Sequence, residues 1–277
     1  MTTSELIRLA LQEDIGDGDH SALACIPAEA EGKAKLLVKE NGVLAGMEMA
    51  KEVFHQVDPT FELEWKMKDG DEMKVGDIAF YISGSSQKIL QAERLALNIM
   101  QRMSGIATLT KEYVKLCEGT KAKILDTRKT TPNFRLFQKE AVKIGGGVNH
   151  RMGLYDMVMI KDNHIDFAGG IEAALNKVES YLAAKNKPLK VEIEARDLNE
   201  VEEILRVGKC DRIMLDNFNY EDTRTAVKLI GDKYETESSG GITLDTVREY
   251  ALCGVDYISV GALTHSSVGV DLSLKAV

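Results

Sequence analysis

The chain has little cysteine, no long apolar run and no excess of positive charge, and each lack removes a class of proteins. Cys25, Cys117, Cys210 and Cys253 are far apart and form no Cys-x-x-Cys pair, so neither a zinc site nor a disulfide framework has the spacing it needs. They read as reduced, mostly buried thiols that take no part in chemistry. No stretch approaches the ~20 apolar residues of a bilayer-spanning helix, and Met1-Thr2-Thr3-Ser4-Glu5 lacks the basic flank and apolar run of a secretory signal. The expectation is a cytoplasmic globular protein without a membrane partner. The net charge of -9 argues against nucleic acid, which asks for a broad basic surface. Gly145-Gly146-Gly147 is no dinucleotide fingerprint, since no strand leads into it and the Gly-x-Gly-x-x-Gly spacing fails; it reads as a flexible loop that lets the residues after it approach a ligand. The acidic turn Glu13-Asp14-Ile15-Gly16-Asp17-Gly18-Asp19-His20 lacks the final Glu of a calcium loop.

Against this acidic background, cations gather in a few places: Asp126-Thr127-Arg128-Lys129-Thr130-Thr131-Pro132, then His150-Arg151, then Lys161 in Met159-Ile160-Lys161-Asp162-Asn163-His164. Convergent Arg and Lys suit a small polyanion carrying carboxylates and phosphates. Scattered surface ion pairs are the competing explanation for any one of them.

The 277 residues are enough for a large α/β unit or for a barrel with a companion domain. Up to about residue 107 the pattern is mixed. An amphipathic stretch carries Leu6, Ala10 and Leu11; strands are expected at 35–39, 61–67 and 78–83, with a helix at 47–57. A long helix begins near Ser86, with Ile89, Leu90, Leu97, Met100 and Met103 at helical spacing. After that, short apolar runs alternate with helical segments, which implies a parallel sheet. The runs are 122–125 ending at Asp126, 157–160 ending at Lys161, 191–193 ending at Glu194, 212–215 ending at Asp216, 234–237 ending at Ser238-Ser239-Gly240-Gly241, and 257–260 ending at Gly261. Nearly every strand end is chemically equipped. A β/α barrel explains this better than an open doubly wound sheet, because all the loops after its strands converge on one face.

The strand ends suggest roles. Ser239-Gly240-Gly241 and Gly261-Ala262 present small residues whose backbone N–H groups a phosphate can approach. Glu194 and Asp216 would point into the barrel mouth, where a carboxylate pair beside phosphates favours Mg²⁺; general acid–base work is the competing use. His164 reads as orienting its loop.

These motifs resemble the quinolinate phosphoribosyltransferases, also called nicotinate-nucleotide pyrophosphorylases (carboxylating), nearly end to end. The resemblance rests on residues 13–19, 93–98, 104–108, 126–132, 146–151, 160–164, 215–218, 237–241 and 260–265. It implies an N-terminal α/β sandwich-like domain (1–107, joined by residues 268–277) and an incomplete, TIM-like β/α barrel (108–267). It also implies a homodimer or an assembly of dimers. The implied reaction joins quinolinate and phosphoribosyl pyrophosphate, with Mg²⁺, to give nicotinate mononucleotide, pyrophosphate and carbon dioxide.

For that chemistry Arg128, His150 and Arg151 make a clamp for the two carboxylates, helped by Arg94 from a neighbouring subunit. Lys129 and Lys161 complement phosphate, pyrophosphate or the second carboxylate. Glu194 and Asp216 hold ribose hydroxyls and the metal, directly or through water, and the glycine loops take the 5-phosphate. Lys129, Lys161, Glu194 and Asp216 are the expected catalytic residues; Thr127 and His265 complete the substrate-binding set. Decarboxylation needs no pyridoxal or biotin, because the quaternised ring nitrogen accepts the electrons. The rival readings are a molybdenum-locus homologue acting on another acceptor and a non-catalytic phosphosugar sensor. The first has less use for the Arg94, Arg128, His150, Arg151 set, the second for the paired Glu194 and Asp216.

Overall fold

A computed structural model of the chain describes residues 2–277. In chain order the elements are α1 (Thr3–Ile15), α2 (His20–Cys25), β1 (Glu31–Val38), β2 (Gly42–Val43), α3 (Met47–Val57), β3 (Glu62–Trp65), β4 (Glu72–Met73), β5 (Ile78–Ser85), α4 (Ser86–Leu116), β6 (Lys123–Leu125), α5 (Arg135–Ile144), β7 (Val158–Ile160), α6 (Asp162–Ala168), α7 (Ile171–Lys185), β8 (Val191–Ala195), α8 (Leu198–Val207), β9 (Arg212–Asp216), α9 (Tyr220–Ile230), β10 (Glu235–Ser239), α10 (Val247–Leu252), β11 (Tyr257–Ser259), α11 (Ala262–His265) and β12 (Leu272–Ala276). They make two compact units: Met1–Lys111 with Thr130–Gly146 and Leu263–Val277, and Glu112–Lys129 with Gly147–Ala262. No helix among the described residues is long and apolar enough to cross a membrane.

The first unit carries a four-stranded antiparallel sheet in the order β12-β1-β5-β3. Phe54 of α3 meets Phe80 of β5 edge-on at 5.8 Å, and Phe80 meets Trp65 of β3 at 5.1 Å; such aromatic pairs add to the area they bury. The acidic turn after α1 has a structural use, since Asp19 accepts a hydrogen bond from the Ala22 amide at 3.0 Å and caps α2. At six residues, α2 is too short to show a helical period.

Helix α4 organises this unit. The Ser104 hydroxyl accepts from the Ala45 amide at 2.9 Å and the Thr108 hydroxyl from the Val43 amide at 2.8 Å, so one face of α4 holds the loop before α3. Arg102 donates to the Ser267 and Thr264 carbonyls, and Gln101 donates to Leu272 O at 2.9 Å. Gly105 lies so close to the chain there that a Cβ would stand 1.9 Å from Val268 O. Gly145 packs in the same way, where a Cβ would lie 2.5 Å from Ala107 O. Close packing, beyond loop flexibility, thus demands glycine at the first position of the triplet.

In the second unit all six strands are parallel, in the order β6-β11-β10-β9-β8-β7. The order follows the chain from β7 to β11 and then returns to β6, so the ring closes between its last and first strands and stays open between β6 and β7. This is an incomplete β/α barrel, since an open doubly wound sheet changes direction at an internal switch point. Beside β6, Val148 donates its amide to Ile124 O at 2.8 Å and accepts from the Asp126 amide at 3.2 Å, which satisfies part of the exposed edge. One side-chain row of the strands, Ile124, Ile193, Ile213, Leu215 and Ile258, is buried and apolar. The alternate row includes Glu192, Arg212 and Glu237, equally buried. Successive strand residues face opposite sides, so the charged row, which continues into the strand-end residues Glu194 and Asp216, lines the barrel interior and the apolar row the opposite face.

The close contact at Gly105 makes a direct prediction for stability. Gly105→Ala forces backbone apart and should cost about 1–3 kcal/mol or more. Calorimetric unfolding of the folded variant checks this, and an unchanged midpoint would refute the contact.

Candidate active site

Asp126, fully buried at the end of β6, is the hub of one side of the barrel mouth. Its Oδ1 accepts from the His150 amide at 2.9 Å and its Oδ2 from Asn149 Nδ2 at 2.5 Å. One carboxylate thereby ties the chain that carries Thr127, Arg128 and Lys129 to the chain that carries His150 and Arg151. The Lys129 amide donates to Thr127 Oγ1 at 3.0 Å, a local turn that holds Arg128 and Lys129 at the surface. Arg151 is half-buried and donates to Met157 O at 3.3 Å. Burial, and after it the charge of Arg128, hold the Arg151 guanidinium below its ordinary range.

Across the mouth, β7 ends at Lys161, whose ammonium pairs with Glu194 Oε1 at the end of β8. The Asp162 amide adds a 3.3 Å contact to Glu194 Oε2. His164 Nδ1 accepts from the Lys161 amide at 3.0 Å, so this histidine orients the loop. At the end of β9, Asn217 has a left-handed φ of 57. Its side chain donates to Asp216 Oδ2 at 2.9 Å, and its amide donates to Ser239 O at 2.9 Å. Gly240 has φ 102, and a Cβ there would lie 2.1 Å from Asn217 Oδ1. Both the backbone conformation and the space require glycine. Gly241 and Gly261-Ala262 follow β10 and β11 at the same end of the strands. Arg94, exposed on α4, and His265, exposed on α11 with Nδ1 2.6 Å from Ser266 Oγ, belong to the first unit.

The imidazole of His150 is buried among charges. Its Nε2 lies 2.9 Å from Glu192 Oε2 and 3.4 Å from Glu237 Oε2, and Arg212 Nη1 donates to Glu237 Oε2 at 3.0 Å. Burial alone would push the imidazole down, but Glu192 and Glu237 outweigh it and raise it from 6.5 to about 9. Burial, and then the charge of Glu237, raise the Glu192 carboxyl to about 7. Burial acts in the same direction on Glu237, yet His150 and Arg212 prevail and hold it below the ordinary carboxylate range. The Arg151 amide donates to His150 Nδ1 at 2.6 Å. A proton on Nδ1 would oppose that amide, so the contact favours a proton on Nε2, and the raised titrations of His150 and Glu192 belong to the coupled cluster as a whole.

Several of these residues are hidden from sequence reading. Asp126 and Asn217 sit inside quoted motifs but look like turn residues, and Glu192, Arg212 and Glu237 look like surface positions of strands. A signal existed in the alternation Val191-Glu192-Ile193-Glu194, where charge shares one row with the strand-end carboxylate. Among candidate metal ligands, Asp216 keeps Oδ1 outside its bond to Asn217, while Glu194 is shared with Lys161. These hard carboxylate oxygens fit Mg²⁺, which takes few protein ligands beside phosphate and water.

The chain is similar to known proteins over nearly its whole length. The family profiles described as Quinolinate phosphoribosyl transferase, N-terminal domain and C-terminal domain match residues 19–104 and 106–275. The chloroplastic nicotinate-nucleotide pyrophosphorylase [carboxylating] of Arabidopsis thaliana is 48% identical, over 98% of this chain and 81% of the relative. A probable nicotinate-nucleotide pyrophosphorylase [carboxylating] of Bacillus subtilis (strain 168) is 40% identical, over 95% of this chain and 89% of the relative. The crystal structure of NadC from Streptococcus pyogenes superposes with a TM-score of 0.92 at 38% identity, covering 99% of this chain and 96% of that one.

The protonation of the buried cluster has a sign that can be measured. A folded pKa above the unfolded value adds stability that is complete below the unfolded value and is lost as pH rises through the folded one. Both His150 and Glu192 are raised, so the loss falls as pH climbs through about 7 and about 9. Thermal midpoints of the wild type and His150→Gln should differ most at pH 6.5 and converge toward pH 9. A gap that stays constant or widens would contradict the assignment.

Proposed function

The chain belongs to the quinolinate phosphoribosyltransferase family, and from that premise we propose that it transfers phosphoribosyl from phosphoribosyl pyrophosphate to the ring nitrogen of quinolinate. Pyrophosphate and carbon dioxide leave and nicotinate mononucleotide remains, a step of NAD biosynthesis. The observation that carries this reading is that one buried carboxylate, Asp126, ties the strand-end segment bearing Arg128 to the segment bearing Arg151, so that two guanidinium groups are presented on one side of the barrel mouth for two carboxylates. Bidentate guanidinium–carboxylate pairing would orient the ring nitrogen toward the sugar. His150 stands behind Arg151, and Thr127 supports the turn that presents Arg128.

The remaining strand ends divide the sugar between them. Ser239-Gly240-Gly241 and Gly261-Ala262 offer backbone N–H groups to the 5-phosphate. Glu194 and Asp216 hold the ribose hydroxyls, and their charge favours the positive charge that grows at the anomeric carbon as pyrophosphate departs. Lys161, already paired with Glu194, and Lys129 meet the pyrophosphate and the second carboxylate. Asp216, with Glu194 directly or through water, would hold Mg²⁺, which supplies neutralising charge to the pyrophosphate. Once the ring nitrogen is quaternised its positive charge stabilises the electron pair left on the adjacent ring carbon as the C–C bond breaks and carbon dioxide leaves, and that pair then takes up a proton.

The working form is a homodimer or an assembly of dimers, with Arg94 supplied to the site by the neighbouring copy. The exposure of Arg94 on α4 is compatible with such a reach. Free thiols at Cys25, Cys117, Cys210 and Cys253 accord with a reducing compartment such as the cytoplasm, although the Arabidopsis relative is described as chloroplastic.

Incubation with quinolinate, phosphoribosyl pyrophosphate and Mg²⁺ should yield equal amounts of carbon dioxide and nicotinate mononucleotide, with activity lost on chelation. No turnover, or equal turnover with nicotinate, would refute the reading. For the shared site, mixing inactive Arg94→Ala and Lys161→Ala chains should restore about a quarter of wild-type activity, the statistical share of intact sites expected for random pairing in a symmetric dimer. A mixture that stays inactive would contradict sharing.

A further inference from the structure

Glu192, Glu237 and Arg212 are buried inside the barrel and have no part in the roles assigned above, yet they surround the one side chain that stands behind Arg151. Such a cluster is costly. Well-packed apolar residues of the same volume are often neutral or stabilising in place of a buried ion pair, and Glu192 Oε1 finds no hydrogen-bond partner among the described residues. Stability alone therefore gives poor grounds for keeping these charges.

The donor atoms of His150, Glu192 and Glu237 lie within 4.8 Å of one another and could be read as a metal site. Charge argues otherwise. Arg212 Nη1 lies 3.0 Å from Glu237 Oε2 and 3.9 Å from Glu192 Oε2, and its guanidinium balances one of the two carboxylates. A divalent cation there would stand desolvated beside the Arg212 guanidinium, which already occupies Glu237 Oε2 and pairs with Glu235 as well.

What the cluster does control is the attitude of a ring. Nε2 faces Glu192 and Glu237, which favours the proton on that nitrogen. Nδ1 is then a lone-pair acceptor and receives the Arg151 amide at 2.6 Å. A group bound to one imidazole nitrogen sets the tautomer at the other. The main chain on the other side is held by Asp126, which accepts from the His150 amide and from Asn149. The ring is thus a strut between the barrel interior and the backbone of Arg151.

We propose that Glu192 and Glu237, with Arg212 as counterion, are positioning residues that act through the His150 ring to set Arg151 for the pyridine dicarboxylate. The proposal deepens the quinolinate reading and rests on it. It concerns acceptor binding, so the phosphoribosyl pyrophosphate side of the site should be indifferent to these carboxylates.

The test is steady-state kinetics of the full-length enzyme carrying Glu192→Gln, Glu237→Gln, Glu192→Asp or His150→Gln, and of the two Gln variants each combined with His150→Gln. Each Gln variant should raise KM for quinolinate about tenfold while KM for phosphoribosyl pyrophosphate stays within about twofold, a split that loss of folded enzyme cannot produce. Because the effect runs through the ring, neither Gln substitution should raise the quinolinate KM further in the His150→Gln background. Additive effects in that background, equal rises in both KM values, or an unchanged quinolinate KM would overturn the proposal. So would failure of all the carboxylate variants to fold, since the carboxylates would then be requirements of the fold. A wild type that does not turn over quinolinate overturns the functional reading itself, and the proposal with it; normal wild-type turnover with any of the other adverse results overturns the proposal alone.

Discussion

A strand can give only one of its two side-chain rows to a barrel interior, and here the interior row carries charge. Ile193, Ile213, Leu215 and Ile258 fill the other row and bury apolar surface, which drives the sheet to form. Glu192, Arg212 and Glu237 share the inner row with the strand-end residues Glu194 and Asp216, since alternate residues of one strand face one way. The period of the strand therefore couples what lies inside the barrel to what lies at its mouth. A shift of one residue in register would exchange the rows and lose both.

The charged interior is tolerable because it is balanced. Arg212 donates to Glu235 and Glu237, and its guanidinium lies 4.0 Å from the ring centroid of Tyr257, a contact worth more when desolvated. His150 closes the arrangement from the segment before β7. In exchange for desolvating these groups, the molecule holds a loop segment without relying on packing alone. Asp126 does the corresponding work on the main chain that carries Arg128 and Arg151.

The mouth shows the same economy at Asn217. Its left-handed backbone, its side-chain hydrogen bond to Asp216 and the hydrogen bond its backbone amide donates to Ser239 O join β9 to β10, and the carboxamide occupies the space that a side chain at position 240 would need. A motif that reads as a phosphate loop is thus also a packing solution. Gly105 and Gly145 repeat the point in the first unit, where the missing Cβ lets backbone approach backbone.

The parallel strands and the long helix were legible because each is announced by a local period of apolar residues, and the reactive strand ends because unlike residues terminate those runs. The resemblance carried by 126–132, 146–151 and 160–164 identifies the family from residue order alone. The short elements were less visible. Helix α2 is too brief for a period, and β12 depends on pairing with β1, a partner more than two hundred residues away. The sequence by itself thus determined the fold class, through periodicity, and the reaction class, through its family motifs, and it marked the cations at the strand ends, because those follow from residue type and order. Only the tertiary structure decided that His150 turns its ring toward Glu192 and Glu237 and that Asp126 grips the main chain beside it, because ring orientation and burial arise from strands that meet across the barrel.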